Sequence, residues 1–213
     1  MDHRQLKNII LLNWNANGIN NKKHELNYFL NNYEIDIACI TETHITTPEF
    51  YIPNYKTIKM NRSNRKGGGS LILIKNNIEF TLNNITVPNN TETVAINITL
   101  NNTCTTIIAC YCPPNINLDT TSFRSFFNTP NHLILLGDLN AKHSNWACKS
   151  TNRNGRQLNN LINALNLKII SLSEPTYYPL DSNKNPDILD IALTNFSLNA
   201  TSTVVHELDS DHL

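Results

Sequence analysis

Residues 133–143 read Leu133-Ile134-Leu135-Leu136-Gly137-Asp138-Leu139-Asn140-Ala141-Lys142-His143. Four consecutive aliphatic residues suit a strand buried on both faces. At Gly137 the run stops and gives way to a carboxylate and an amide separated by one residue. A strand terminus of this kind aims polar side chains out of a hydrophobic sheet into a cleft. Outward from this stretch the pattern recurs. Residues 9–12 lead into Asn13-Trp14-Asn15-Ala16-Asn17-Gly18, 35–41 into Thr41-Glu42-Thr43-His44, and 105–111 into Tyr111-Cys112-Pro113-Pro114. Asp187-Ile188-Leu189-Asp190 borders the apolar run 188–193, and Ser210-Asp211-His212 lies near the C-terminus.

Residues 70–75, 93–100 and 203–207 complete the expected strands, and helical spacing places Leu26, Phe29, Leu30 and Tyr33 on one face. Phe123, Phe126 and Phe127 mark a second helix, and Leu158, Leu161, Ile162 and Leu165 a third. No long linker or repeat interrupts the 213 residues, so one domain over 1–213, with two layers of sheet and helices outside, is the economical architecture. The longest apolar runs fall far short of the roughly 20 residues a membrane span needs. With no signal-peptide pattern in 1–12 and five cysteines without paired spacing, the chain is expected to be soluble and intracellular, with reduced, mostly buried thiols.

Seventeen Lys and Arg balance seventeen Asp and Glu, but the balance is an average. Residues 50–78 hold six cations and no acid, 139–173 hold five cations and no acid, and 174–213 hold seven acids against Lys184. That segregation is compatible with a cationic rim around an acidic centre, and equally with ordinary solvated faces. Asparagine is abundant, at 37 residues, and the seven Asn-x-Ser/Thr sequons are what chance provides in such a chain.

Singly, each polar strand end has a structural reading: an Asx turn, a helix cap, a surface carboxylate. Together they supply hard oxygen ligands, amides, a phenol and one histidine, the set for Mg²⁺, with Mn²⁺ as second choice, rather than for zinc. No H-E-x-x-H, G-x-S-x-G or phosphate-binding G-x-x-x-x-G-K-[ST] is present, and metal-assisted phosphodiester hydrolysis fits best.

The ordered series Asn15-Ala16-Asn17-Gly18, Glu42-Thr43-His44, Gly67-Gly68-Gly69, Tyr111-Cys112-Pro113-Pro114, Gly137 to His143, Asn154-Gly155-Arg156, Ile188-Leu189-Asp190 and Ser210-Asp211-His212 resembles the apurinic/apyrimidinic-type endonuclease domain of non-LTR retrotransposons, most of all Jockey-type elements. The resemblance implies a DNase I-like, four-layered α/β sandwich of two mixed sheets flanked by helices. It also implies that the chain stops short of a further strand and is a domain of a longer reading frame. By resemblance Glu42 is the principal metal ligand, helped by Asn15 and Asp211. His212 is catalytic and oriented by Asp190, Asp138 and Asn140 position the attacking water, and Tyr111 and Asn15 donate to phosphate oxygens. Whether Asp138 or His212 takes the water's proton stays open. Asn17 stands where relatives carry Asp, and Asp187, three residues from Asp190, is assigned to solvent.

The substrate so implied is duplex DNA, nicked to leave a 3′-hydroxyl that primes reverse transcription of element RNA by a linked reverse transcriptase domain in the nucleus. His44, Arg62, Arg65, Lys66, Lys142, His143, Arg153 and Arg156 are candidate DNA contacts. The short polar loop 178–186 implies weak sequence preference. Two other readings compete: a general or repair phosphodiesterase of the same superfamily, and a non-catalytic DNA-binding remnant.

Overall fold

The structure, a computed structural model, describes residues 8–212 apart from 48, 61–66, 86–90, 182 and 184. Among the described residues the first sheet has four strands, β1 (Leu11–Asn15), β2 (Ile37–Thr41), β3 (Tyr55–Met60) and β4 (Ser70–Lys75), in the order β1-β2-β4-β3. The second has six: β5 (Thr81–Leu82), β6 (Glu92–Leu100), β7 (Thr103–Tyr111), β8 (His132–Asp138), β9 (Lys168–Ile170) and β10 (Asp190–Thr194), in the order β5-β6-β7-β8-β10-β9. Both sheets are mixed, since β1 and β2, and β7 and β8, run parallel while the other pairs are antiparallel.

Side-chain alternation along the strands builds the layers. Ile37 and Cys39 of β2 and Ile72 and Ile74 of β4 meet Ile96, Ile107, Ala109, Ile134 and Leu136 of the second sheet in one apolar cluster. The alternate residues Ala38, Ile40, Leu71 and Leu73 turn the other way, onto Leu26, Phe29 and Leu30 of α1 (Lys23–Asn32). On the far side Ile108, Cys110, Leu133 and Leu135 pack on α2 (Thr120–Phe127) and α3 (Arg153–Leu165). The result is the expected four-layered sandwich, helix, sheet, sheet, helices. Each buried aliphatic side chain contributes about 1.5–3 kcal/mol. A slip of one residue would turn a whole row to the wrong face, so register is firmly set. Gly137 lies where strands β7 and β8 press closest: a Cβ there would stand 1.7 Å from the Cys110 carbonyl oxygen.

Three differences from the sequence reading stand out. Strands β3, β5 and β9 escape a search for apolar runs, because they border the sheets and carry exposed positions such as Lys56, Thr81, Leu82 and Lys168. Residues 203–207 form no strand. Val205 instead packs by its side chain against the α1 cluster. The last strand begins at Asp190, so residues 188 and 189 precede it. All five cysteines are free and four are buried, with Cys104 exposed. No helix among the described residues is long and apolar enough to cross a membrane.

Candidate active site

The ends of five strands converge. Asn15 closes β1 and Tyr111 closes β7, Asp138 closes β8, Asp190 opens β10, and Glu42 follows β2 directly. Backbone pairing of β1 with β2 continues beyond the strands through Ala16 N–H to the Thr41 carbonyl, Gly18 to Glu42 and Ile19 to Thr43. From the other side the Thr43 and His44 amides donate to the carbonyls of Gly69 and Gly68. Glu42 and His44 both adopt left-handed backbone conformations, φ 48° and 52°. Such conformations cost free energy in side-chain-bearing residues and persist where the surroundings enforce them. The three-glycine run lets the loops approach, since a Cβ on Gly69 would collide with the Thr43 hydroxyl.

Asn15 is the hub. Its Oδ1 accepts the Asn17 amide at 3.1 Å, so Nδ2 faces the cleft and donates to Glu42 Oε1 at 3.1 Å and Asp138 Oδ2 at 2.9 Å, with His212 Nε2 at 3.4 Å. Asp138 Oδ1 accepts the Asn140 backbone amide at 2.9 Å. Asn140, itself left-handed at φ 45°, donates from Nδ2 to Asp138 Oδ2 and to the Cys112 carbonyl, both at 3.1 Å. His212 Nδ1 sits 2.7 Å from Asp190 Oδ2 and its Nε2 3.8 Å from Asp138 Oδ2. Burial, and behind it the hydrogen bond that Tyr111 makes to Glu42, drives the phenol's pKa far up. Asp211 accepts from Asn17 Nδ2 at 3.0 Å. His44 Nε2 lies 3.4 Å from Glu42 Oε2. The structure thus gathers Asn15, Glu42, Asp138, Asn140, Asp190, Tyr111, Asp211 and His212, with His44 on the rim.

Burial divides the proton affinities. Removal from water raises the Asp138 carboxyl to about 7, and the Asp190 charge adds to this, while His212 and the bonds from Asn140 and Asn15 pull the other way. For His212, burial disfavours the imidazolium. The charge and hydrogen bond of Asp190, with Asp138 and Asp211 behind, outweigh it and raise the pKa to about 9. Both groups therefore hold protons more tightly folded than unfolded, where the reference values are 3.8 and 6.5. Their contribution is present at low pH and is lost as pH rises, for Asp138 up to about 7 and for His212 between 6.5 and about 9. Thermal melts of the metal-free protein should show a melting temperature falling from pH 6 to 9. Asp190→Asn should flatten the fall above pH 6.5. A melting temperature that rises across this range would contradict the assignment.

Asp187 is not solvent-facing as the three-residue spacing implied. It is 5% exposed and its Oδ2 lies 3.0 Å from Lys142 Nζ. The alternation argument fails because Asp187 precedes the strand, in an isolated bridge to Tyr177. Lys142, a candidate DNA contact, is thereby committed to a buried carboxylate. Lys142→Met should destabilise the domain by about 3 kcal/mol, because it strands a buried charge. Calorimetry should register this as a melting temperature lower by roughly 6–12 °C, largely recovered by adding Asp187→Leu. Of the other candidate contacts, His143 caps a 3-10 turn (Ser144–Trp146), accepting the Asn145 amide on Nδ1. Arg153 and Arg156 are exposed on the first turn of α3, and Arg62, Arg65 and Lys66 lie outside the described residues.

Sequence reasoning passed over Thr176, Tyr177 and Asn152. The Thr176 hydroxyl accepts the amides of Leu189 and Asp190, each at 3.1 Å. Tyr177 bridges Asp187 and His212 through its backbone and lays its ring 4.8 Å from the His212 ring. The signal was a Thr-Tyr pair after Pro175, just before the loop 178–186, in a stretch to which the sequence reading assigned no element.

A family profile described as endonuclease-reverse transcriptase matches residues 105–213, the half that carries Tyr111, Asp138, Asp190 and His212. The chain belongs to that family. Over 213 residues this endonuclease domain is 34% identical to the probable RNA-directed DNA polymerase from transposon X-element of Drosophila melanogaster, covering 95% of this chain and 23% of that protein. Against the RNA-directed DNA polymerase from mobile element jockey of the same species it is 29% identical over 206 residues, covering 94% and 22%. The domain thus spans less than a quarter of the relatives it matches. Among solved structures, the endonuclease domain of TRAS1, a telomere-specific non-LTR retrotransposon, superposes with a TM-score of 0.80 at 18% identity, covering 96% of this chain and 95% of that one. The AP endonuclease LMAP from Leishmania major gives a TM-score of 0.70 at 12% identity, covering 86% and 78%. The DNase I-like sandwich and a nuclease of the retrotransposon type, both expected from the motifs, hold.

Proposed function

We propose that this domain is a Mg²⁺-dependent endonuclease, with Mn²⁺ as the alternative ion, that nicks duplex DNA. The nick leaves a 3′-hydroxyl to prime reverse transcription of element RNA by a linked reverse transcriptase, in the nucleus. The observation that carries this reading is the single cluster in which Asn15 joins Glu42, Asp138 and His212 across strand ends of both sheets.

The donor set suits a hard cation. Glu42 and Asp211 offer carboxylate oxygens, and Asp190, Asp138 and Asp211 surround His212, an excess of negative charge that a divalent ion would offset. Mg²⁺ needs no closed protein cage, since it is commonly held by one or two protein oxygens and several waters. Glu42 would hold it, with Asp211 beside; Asn15 would join through Oδ1 only by releasing the Asn17 amide. Bound there, the ion would offset phosphate charge and acidify water.

Water attacks phosphorus and the bond from phosphorus to the 3′ oxygen breaks; the 3′ oxygen takes a proton from solvent water to become the hydroxyl, and the phosphate stays on the 5′ side. Asp138, held by Asn140, takes the water's proton. His212, with Nδ1 on Asp190, keeps its own proton at neutral pH and presents Nε2 as a cationic donor to the charge that builds on phosphate oxygens. Asn15 and Tyr111 donate to the same oxygens when substrate displaces them from Glu42. Relaxation of supercoiled plasmid with and without Mg²⁺, alongside Glu42→Ala, tests the reading. Metal-dependent conversion to open circles by the parent and none by the variant is expected. An inert parent would reject the enzyme in favour of a DNA-binding remnant, and faster cutting of abasic than intact duplex would favour repair.

A further inference from the structure

One part of the motif series stays outside the chemistry described so far: the start of α3, with Asn152 as its cap and Asn154-Gly155 in its first turn. Asn152 Oδ1 accepts two backbone amides, Gly155 at 2.7 Å and Lys142 at 3.0 Å. Both donors are N–H groups, so the oxygen end of the amide must face them and Nδ2 must point away. It points at the carbonyl oxygen of Asn140, 2.9 Å off. The Asn152 amide closes the loop by donating to the Lys142 carbonyl at 3.1 Å. Gly155 permits the contact, for a Cβ there would stand 1.7 Å from the Lys142 carbonyl oxygen.

We infer that Asn152 is a positioning residue for the nuclease reaction, fixing Asn140 and through it Asp138; the inference rests on the function proposed above. A helix cap needs only an acceptor, and Ser, Thr or Asp would serve. What those residues lack is the second function used here, an N–H donor to a carbonyl. Asn140 is held in a left-handed conformation that places its backbone amide on Asp138 Oδ1 and its Nδ2 on Asp138 Oδ2. The residue is therefore held at its N–H by the carboxylate that would accept the water's proton and at its carbonyl by Asn152. Loss of the bond to the carbonyl frees the following peptide to rotate about ψ of Asn140 and loosens the left-handed conformation that aims its N–H and Nδ2 at Asp138. A displacement of about 1 Å at a reacting group can cost two orders of magnitude in rate.

Asn152→Asp separates capping from positioning. The carboxylate keeps both accepted bonds to Gly155 and Lys142 and favours the helix N-terminus, but turns an oxygen against the Asn140 carbonyl. The readouts are kcat and KM for Mg²⁺-dependent plasmid nicking, with the melting temperature, and Asn160→Asp, exposed on the same helix, controls for added charge. The inference requires kcat to fall at least tenfold in Asn152→Asp, with KM within twofold and the melting temperature within a few degrees of the parent. It also requires little further loss when the substitution is made in an Asn140→Ala background, where the residue it acts through is gone. Parent-like kcat in Asn152→Asp overturns the positioning role and leaves the proposed function standing. So does a loss that tracks the melting temperature or multiplies fully with Asn140→Ala. A parent that does not nick rejects both.

Discussion

Asp138→Asn should reduce Mg²⁺-dependent plasmid nicking by about three orders of magnitude while leaving the domain as stable as the parent, or more so, at pH 8. The carboxylate sits at the end of β8, 1% exposed, where Asn15, Asn140 and His212 converge. An amide of the same shape preserves much of the hydrogen-bonded frame but cannot take a proton from water, a loss worth about 10²–10⁴ in rate. Stability should move the other way. Burial raises the Asp138 carboxyl to about 7, so at pH 8 the folded protein carries a charge that its surroundings disfavour. Asparagine removes that cost, giving a melting temperature equal to the parent's or a few degrees above it. Gel-shift affinity for duplex DNA should stay within a fewfold of the parent. A variant that cuts at more than a tenth of the parental rate would remove Asp138 from the chemistry. This is the pattern of a site whose ionised groups are kept at the expense of the fold.

His212→Ala should cost a similar factor, and for a separable reason. Without the imidazole nothing donates from the Nε2 position to the phosphate, and Asp190, 6% exposed, loses its partner at Oδ2 while its Oδ1 already has no hydrogen-bond partner among the described residues. A drop in stability should therefore accompany the drop in rate, unlike the outcome at Asp138. Free imidazole can re-enter the hole next to Asp190 and should restore part of the activity. Asp190→Asn tests the orientation alone: an amide can donate to Nδ1 and stabilise the wrong tautomer, so the imidazole remains but nicking falls about 10²–10⁴-fold. Activity in His212→Ala within tenfold of the parent, or no response of that variant to imidazole, would count against the assigned role.

The parts of this architecture most legible in the sequence are those with the strongest burial. Strands β2, β4, β7 and β8 are buried on both faces because each lies between the opposing sheet and a helical layer, so β2, β4 and β8 are mostly aliphatic and β7 is so through Ile107-Ile108-Ala109. Their polar endpoints, Glu42, Tyr111 and Asp138, stand out against that background. Border strands do not. Tyr55–Met60 carries Lys56 and Lys59, and its hydrophobic signal is diluted by solvent. The asparagines show the limit most clearly. With 37 in the chain, Asn15 and Asn140 could be singled out by motif, but Asn152 reads like any other polar residue before a helix. Only the positions of two backbone amides and one carbonyl around it distinguish a cap from a brace. Asp187 failed for the opposite reason, since a sound period-two rule was applied three residues before the start of the strand that obeys it.

Asn15 and His212 meet in the cleft although 197 positions separate them along the chain. A polypeptide emerging from the ribosome delivers Asn15 and Glu42 early, then Asp138, and the His212 ring last of the cluster. On the roles proposed, nascent chains and interrupted translation products hold every metal-binding oxygen except that of Asp211 and still cannot cut. On those roles the order of synthesis alone sets when cutting becomes possible: not before residue 212 has been made and has folded back onto the first strand.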